Sequence, residues 1–227
     1  PCPGEIRIVK EKNAMLQSIP CQIYRGGTSK GVFFAEKDLP PAGPVRDNAI
    51  LAIMGSPDVR QIDGLGGSVS TTSKIAIIAP SKMPGCDVDY TFGQVSLDVP
   101  LVDYKSNCGN ILSAVGPYAV DNGLVPAAGE TTLVRIYNTN TKKVINSYVP
   151  TPGGVVEYAG DCVIPGVPGS AAPIRIAFVH PAGAVTGRLL PTGSPRDILE
   201  VPGLGKLEVS FVDSTNPLVF VRASDLG

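Results

Sequence analysis

The chain has 227 residues and a net charge of −1, with 43 per cent hydrophobic and 17 per cent charged residues. That length suits one large domain or two small ones, the apolar content argues against disorder, and no basic stripe points to nucleic acid. No apolar run approaches a membrane span and no secretory signal is visible, while 26 glycines and 22 prolines imply frequent turns between short strands.

Glu5 to Glu11 alternates Ile6 and Ile8 with charged residues, and Met15 to Tyr24 follows; both read as strands. Arg25-Gly-Gly-Thr-Ser-Lys-Gly31 then reads as a glycine-rich turn before a third strand, Val32 to Ala35. A loop between two strands is not a P-loop, which opens a helix; a plain hairpin turn and a ligand loop remain equal alternatives. Pro44 to Met54 reads as a helix, with proline early and Ile50, Leu51, Ile53 and Met54 on its apolar face. Gly64 to Ser73 holds three glycines and five hydroxyl residues in ten positions. Lys74 ends it, at the mouth of the apolar strand Ile75 to Ala79. Desolvation there favours a neutral, basic amine; the alternative is a lysine that snorkels to solvent.

Val88 to Phe92 and Val95 to Val102 read as a hairpin around Gly93. The polar turn Ser106-Asn-Cys-Gly-Asn110 then runs into a helix apolar nearly all round, with Asn107 as its N-cap and Gly123 as its stop. The tip of a buried helix favours an anion and the thiolate form of Cys108; the alternative is an inert, buried cysteine. Leu133 to Asn138 and Lys143 to Val149 form another hairpin. Thr151-Pro-Gly-Gly154 marks a domain boundary. Beyond it come strands at Val155 to Tyr158, Ile174 to His180, Leu207 to Asp213 and Leu218 to Val221, with no helix pattern. Strands outnumber helices, and the class is α+β.

The five cysteines, Cys2, Cys21, Cys86, Cys108 and Cys162, are odd in number and contain no C-x-x-C, against a disulfide framework or a zinc site. Unpaired thiols fit a reducing, intracellular compartment, the cytoplasm first. The single histidine, His180, reads as structural or surface. The chain opens on Pro1 and closes on Gly227 just after a strand-like run, as a piece of something longer would.

Four segments in order, Arg25 to Gly31, Gly64 to Lys74, Ser106 to Asn110 and Pro150 to Gly154, resemble the PrpF-type methylaconitate isomerases. Gly166-Val-Pro-Gly-Ser-Ala-Ala-Pro173 and Leu190-Pro-Thr-Gly193 fit the same family. The resemblance implies a diaminopimelate epimerase-like fold, with curved mixed sheets wrapped around central helices in two domains. Residues 1–153 would be the first, with its helix from about Cys108; residues 154–227 would begin the second, the remainder of the polypeptide being expected beyond. Ile111 stands where the epimerases carry a glycine after Asn.

By the same resemblance the activity would be movement of an allylic proton in an unsaturated di- or tricarboxylate, such as methylaconitate, aconitate, methylitaconate or oxalomesaconate. It would need no cofactor and no metal. Lys74 would be the base and Cys108 a second acid/base or a contact. Thr28, Ser29, Ser70, Thr71, Ser73 and Asn107, with the N–H groups of Gly109 and Asn110, would bind the carboxylates. A homo-oligomer is compatible, and no nucleic-acid or membrane partner is expected. Two rivals stand beside this: an amino-acid epimerase of the same fold, and a non-catalytic ligand-binding module.

Overall fold

Side chains alternate across a strand, so Val32 and Phe34 lie on one face of a sheet and Gly31 and Phe33 on the other. That alternation organises the molecule, whose computed structural model describes residues 4–8 and 17–227. In chain order the elements are β1 (Gly4–Ile8), β2 (Gln17–Gly26), β3 (Ser29–Ala35), α1 (Pro44–Met54), β4 (Lys74–Pro80), β5 (Val88–Val95), β6 (Val102–Asp103), α2 (Gly109–Leu112), α3 (Val115–Asp121), β7 (Thr131–Asn138), β8 (Lys143–Pro150), β9 (Arg175–Val179), β10 (Asp197–Val201), β11 (Gly205–Ser214) and β12 (Asn216–Val221).

A mixed sheet runs β1-β2-β3-β4-β5-β7-β8-β9, with β6 also on β5. Its pairs β3–β4 and β5–β7 are parallel. Parallel neighbours need a crossover connection, and α1 lies in the first crossover while α2 and α3 lie in the second. Ile50, Leu51, Ile53 and Met54 of α1 pack on Val32, Phe34, Ile75 and Ile77. On the other face the Phe33 ring lies 5.6 Å from the Tyr118 ring of α3. Ile111 of α2 sits so close to Gly31 that a Cβ there would be 2.9 Å from its Cδ1. The sheet therefore carries α1 on one face and α2–α3 on the other, the α+β class read from the sequence.

Four local expectations are corrected. The helix read from Asn107 to Gly123 is two, parted at Ser113 and Ala114. Ser113 Oγ donates to the Asn110 carbonyl at 2.7 Å, and the Ser113 and Ala114 N–H groups make tight three-residue bonds. Pro117 then falls third in α3, where its missing N–H leaves no vacancy; in one continuous helix its ring would meet the Ser113 carbonyl. The N-cap is Cys108 rather than Asn107, whose Oδ1 instead accepts from Asn138 Nδ2 at 2.8 Å. Gly93 lies inside an unbroken β5, not at a turn, because a Cβ there would be 2.7 Å from Ile75 Cδ1. The chain turns later, where the Ser96 N–H bonds the Leu101 carbonyl at 2.9 Å. Finally, Val155 to Tyr158 is loop, with Val155 two-thirds exposed.

Residues 9–11, 15 and 16 of the first two expected strands, and Cys2, lie outside the described residues. Two compact units are present. One holds the described residues up to Asn140 together with Val144–Ala177; the other holds Thr141–Lys143 and Phe178–Gly227. The second unit contains the antiparallel sheet β10-β11-β12. Among the described residues no helix is long and apolar enough to cross a membrane.

Candidate functional site

Three of the glycine- and hydroxyl-rich stretches meet in the first unit. The turn between β2 and β3 is tighter than the sequence implied: only Gly27 and Thr28 are outside the strands, with Gly27 at φ +51°, a backbone state glycine adopts without strain. This turn lies on the α2 tip. A Cβ on Gly26 would fall 2.1 Å from the Asn110 carbonyl oxygen, and Asn110 Nδ2 donates to Thr28 Oγ1 at 3.0 Å. Two residues on, the Lys30 N–H donates to the Thr71 carbonyl at 3.0 Å. The Arg25–Gly31, Gly64–Lys74 and Ser106–Asn110 segments are thereby tied together through backbone and amide bonds.

Strand register places the lysine. Lys74 pairs with Gly31 on one side and Gln94 on the other. Alternation then puts Lys74, Ala76 and Ile78 of β4, with Gln94, Phe92 and Tyr90 of β5, on the face that carries α2–α3. Lys74 is buried, its Nζ 2.7 Å from Gln94 Oε1 and 5.2 Å from the centre of the Phe92 ring. Gln94 Nε2 donates to the carbonyls of Ser73 and Ser70, at 2.8 and 3.2 Å.

Cys108 comes to the same face from the helix side. It is buried at the start of α2 in extended conformation, and its own side chain makes no capping bond to that turn. Burial and the neighbouring Cys108 hold the Tyr90 hydroxyl well above its ordinary pKa, and this fully buried hydroxyl has no hydrogen-bond partner among the described residues. The segment before Cys108 is fixed by the β7–β8 turn. Asn140 accepts from the Phe92 N–H at 2.8 Å and donates to the carbonyls of Phe92 and Tyr104, at 2.9 and 2.7 Å. Asn138 holds Asn107 as described above.

The exposed side of the α2 tip opens into a cavity of about 230 Å³, whose lining includes Arg25, Gly27, Gly109, Asn110, Cys162 and Ser170. A Cβ on Gly109 would meet nothing within 4 Å, so its backbone faces open space. The loop closing this cavity pairs Cys162 with Ala171 and is fastened by Tyr158, whose hydroxyl donates to Asp121 Oδ2, as does that of Tyr24. Burial first, then these contacts to Asp121, raise both phenols well above the ordinary tyrosine range.

One expected contact, Ser73, does not reach this face. The Ser73 hydroxyl is fully buried, donating to the Val95 carbonyl at 3.0 Å and accepting from Gln61 Nε2 at 2.7 Å. Ser70 and Thr71 are exposed and contribute backbone carbonyls to the bonds above, while Ser29 is buried at the first position of β3. His180 follows β9 in the second unit at φ +51°. Gln94, Phe92, Asn138 and Asn140 were not singled out from sequence. The signal for Gln94 was there: with β5 read straight through Gly93, the period of two places it on the Phe92 face.

The fold is shared with a hydroxyproline epimerase from Agrobacterium vitis, which superposes with a TM-score of 0.53 at 10% identity, covering 91% of this chain and 53% of that one. A solved methylitaconate-delta-isomerase is much nearer, with a TM-score of 0.80 and 49% identity over 98% of this chain and 54% of the other. The family model for PrpF protein matches residues 16–227, and the chain belongs to the PrpF family. The 4-oxalomesaconate tautomerase of Pseudomonas putida is 53% identical over 209 residues, which is 92% of this chain and 56% of that protein. The chain thus spans about half the length of the curated relatives it matches.

Proposed function

We propose that the complete protein is a cofactor-independent isomerase that moves an allylic proton in an unsaturated di- or tricarboxylate. The observation that carries this is the placement of Lys74: a buried amine at a strand mouth, on the sheet face that also carries the Cys108 turn. Relatives named 4-oxalomesaconate tautomerase and methylitaconate-delta-isomerase support the class.

Taking a proton from carbon next to a conjugated carboxylate leaves a dienolate, so the site needs a base and fixed donors where negative charge gathers. Neutral Lys74 takes the proton; the C–H electron pair becomes part of the new double bond. The ammonium so formed returns the proton to the far end of the allyl system, and no net oxidation occurs. Rotation while the central bond is single-like gives the cis–trans outcome. Cys108 serves as a second acid/base or as a contact. Thr28, Ser29, Ser70, Thr71, Asn107 and the N–H groups of Gly109 and Asn110 hold the carboxylates. Ser73, whose hydroxyl is engaged with Gln61 and Val95, is assigned to the fold. In this proposal residues 1–153 form the first epimerase-like domain and 154–227 begin the second.

The test is proton exchange with trans-aconitate in heavy water, followed by NMR of the vinyl and methylene signals. The complete protein is expected to exchange, and Lys74→Ala to lose at least about a hundredfold of that rate. Stereoinversion of an amino acid would point to the epimerase instead, and saturable binding without exchange to a binding module.

A further inference from the structure

The Lys74 amine has a fixed neighbour that no motif announced. Gln94 stands directly across from it in the β4–β5 pairing. Its Nε2 is shared between the Ser73 and Ser70 carbonyls, at 2.8 and 3.2 Å, and its Oε1 accepts from Lys74 Nζ at 2.7 Å. Chemistry forces this orientation. Turned over, the amide would set its oxygen against two carbonyl oxygens and its NH₂ against an amine that needs an acceptor. The hydroxyl-rich loop therefore determines which way the Gln94 oxygen points, and that oxygen determines where the amine rests. Phe92, one pair further along the same face, lies 5.2 Å from Nζ. Among the described residues none of the ion pairs involves Lys74. A neutral amide oxygen accepts an N–H from the ammonium and from the free amine alike, whereas a carboxylate in its place would favour the ammonium. A group that must both take and return a proton is served by the first kind of partner.

We infer that Gln94 is a positioning residue for proton transfer: held by the Ser70 and Ser73 carbonyls, its amide aims the Lys74 amine at the carbon being deprotonated. This rests on the reading of Lys74 as the base. Gln94 acts through Lys74, so its loss slows the proton step and leaves substrate binding in place.

The experiment compares Gln94→Met and Lys74→Ala with the parent in the complete protein. Methionine keeps the length and packing of glutamine but neither accepts from Nζ nor ties to the loop. The expected result is a kcat lowered roughly ten- to hundredfold, the scale of a misplaced catalytic group. KM should stay within about twofold, and the primary isotope effect with substrate deuterated at the transferred position should rise, as when an interaction made only in the transition state is lost. A role confined to stability would lower the melting temperature without that isotope signature. Should Gln94→Met fail to fold, Gln94→Asn, polar but one methylene too short to hold both ends, gives the same readings. An unchanged kcat and isotope effect in a folded Gln94 variant, with Lys74→Ala inactive, overturns the positioning role alone. Full exchange in Lys74→Ala overturns the base itself, whatever Gln94 does.

Discussion

In the first unit the central strands are covered on both faces: Ile75 and Ile77 lie under α1, and Phe33 under α3, with none of them more than a few per cent exposed. In the second unit β12 leaves Leu218, Val219 and Phe220 each a little over half exposed, and the buried apolar side chains among its described residues are Leu207 and Val209. Beside its sheet, a carboxylate ties the stretch before β10 to β11. Asp213 is fully buried and its Oδ2 accepts from the Val185 N–H, the Thr186 N–H and the Thr186 hydroxyl, at 2.8, 2.6 and 2.8 Å. Apolar burial is thus dense in the first unit and sparse in the second, where a buried carboxylate supplements the sheet. The residues proposed for catalysis belong to the first unit, whose dense core suits a site whose groups must be held to fractions of an ångström.

Truncation in the two units gives the sharpest contrast. Ile111→Ala, which opens a cavity between α2 and Gly31, is expected to destabilise the first unit by about 2–5 kcal/mol in denaturant titration. Phe220→Ala, at a half-exposed position, is expected to change stability by no more than about 0.5 kcal/mol. Comparable losses would mean that β12 is covered in solution and would remove the contrast. A smaller effect is expected from Asn140→Ala, which strips partners from the Phe92 N–H and from the Phe92 and Tyr104 carbonyls. About 2 kcal/mol of stability should go, since such partly buried groups regain water in part. Exchange activity should fall with it, because the turn before Cys108 loses its tie.

The finest distinction is in pH. Burial pushes the Asp213 carboxyl up, but the Thr186 and Val185 hydrogen bonds outweigh it and leave the pKa below the ordinary carboxylate value. A depressed folded value means that the contribution is present above the unfolded pKa, near 4, and is lost as pH falls through the folded one. Tyrosines in the first unit go the other way. Burial, then the charges of Asp38 and Cys21, push Tyr118 up to about 12. The folded state holds that proton more tightly than the unfolded one, so the contribution is full below about pH 10 and is lost as pH rises towards the folded value. Acid titration should therefore loosen residues 178–227 first, and alkaline titration the sheet around α3. Hydrogen exchange followed by mass spectrometry reads the two separately; Asp213→Asn should abolish the acid limb and leave the alkaline one.

Much of this was legible without coordinates. Pro44 to Met54 stands as read because proline at its start and glycine after it are local signals. The strand at Ile75 to Ala79 needed only its apolar run. What failed depended on a neighbour distant in sequence. Gly93 looked like a turn, yet its missing Cβ answers to Ile75 and Val102 rather than to the chain on either side. That one misreading hid Gln94. Asn107 had the right chemistry for a cap, but Asn138, the last residue of β7, claims its side-chain oxygen. Ser73 looked like a ligand contact in a hydroxyl-rich loop, and the period of two sends it to the side opposite Lys74, where Gln61 meets it.

Composition, hydrophobic period and the order of the glycine-rich segments were enough to establish the α+β class and the family, and to propose Lys74 and Cys108 as the residues to watch. These properties belong to short stretches of chain, whose preferences act over a few bonds. The partner of the Lys74 amine, the break in the central helix and the side to which each hydroxyl turns were decided by tertiary structure alone. Each depends on which atoms from remote segments fill a given volume, and close packing admits one set of neighbours where local preference admits several.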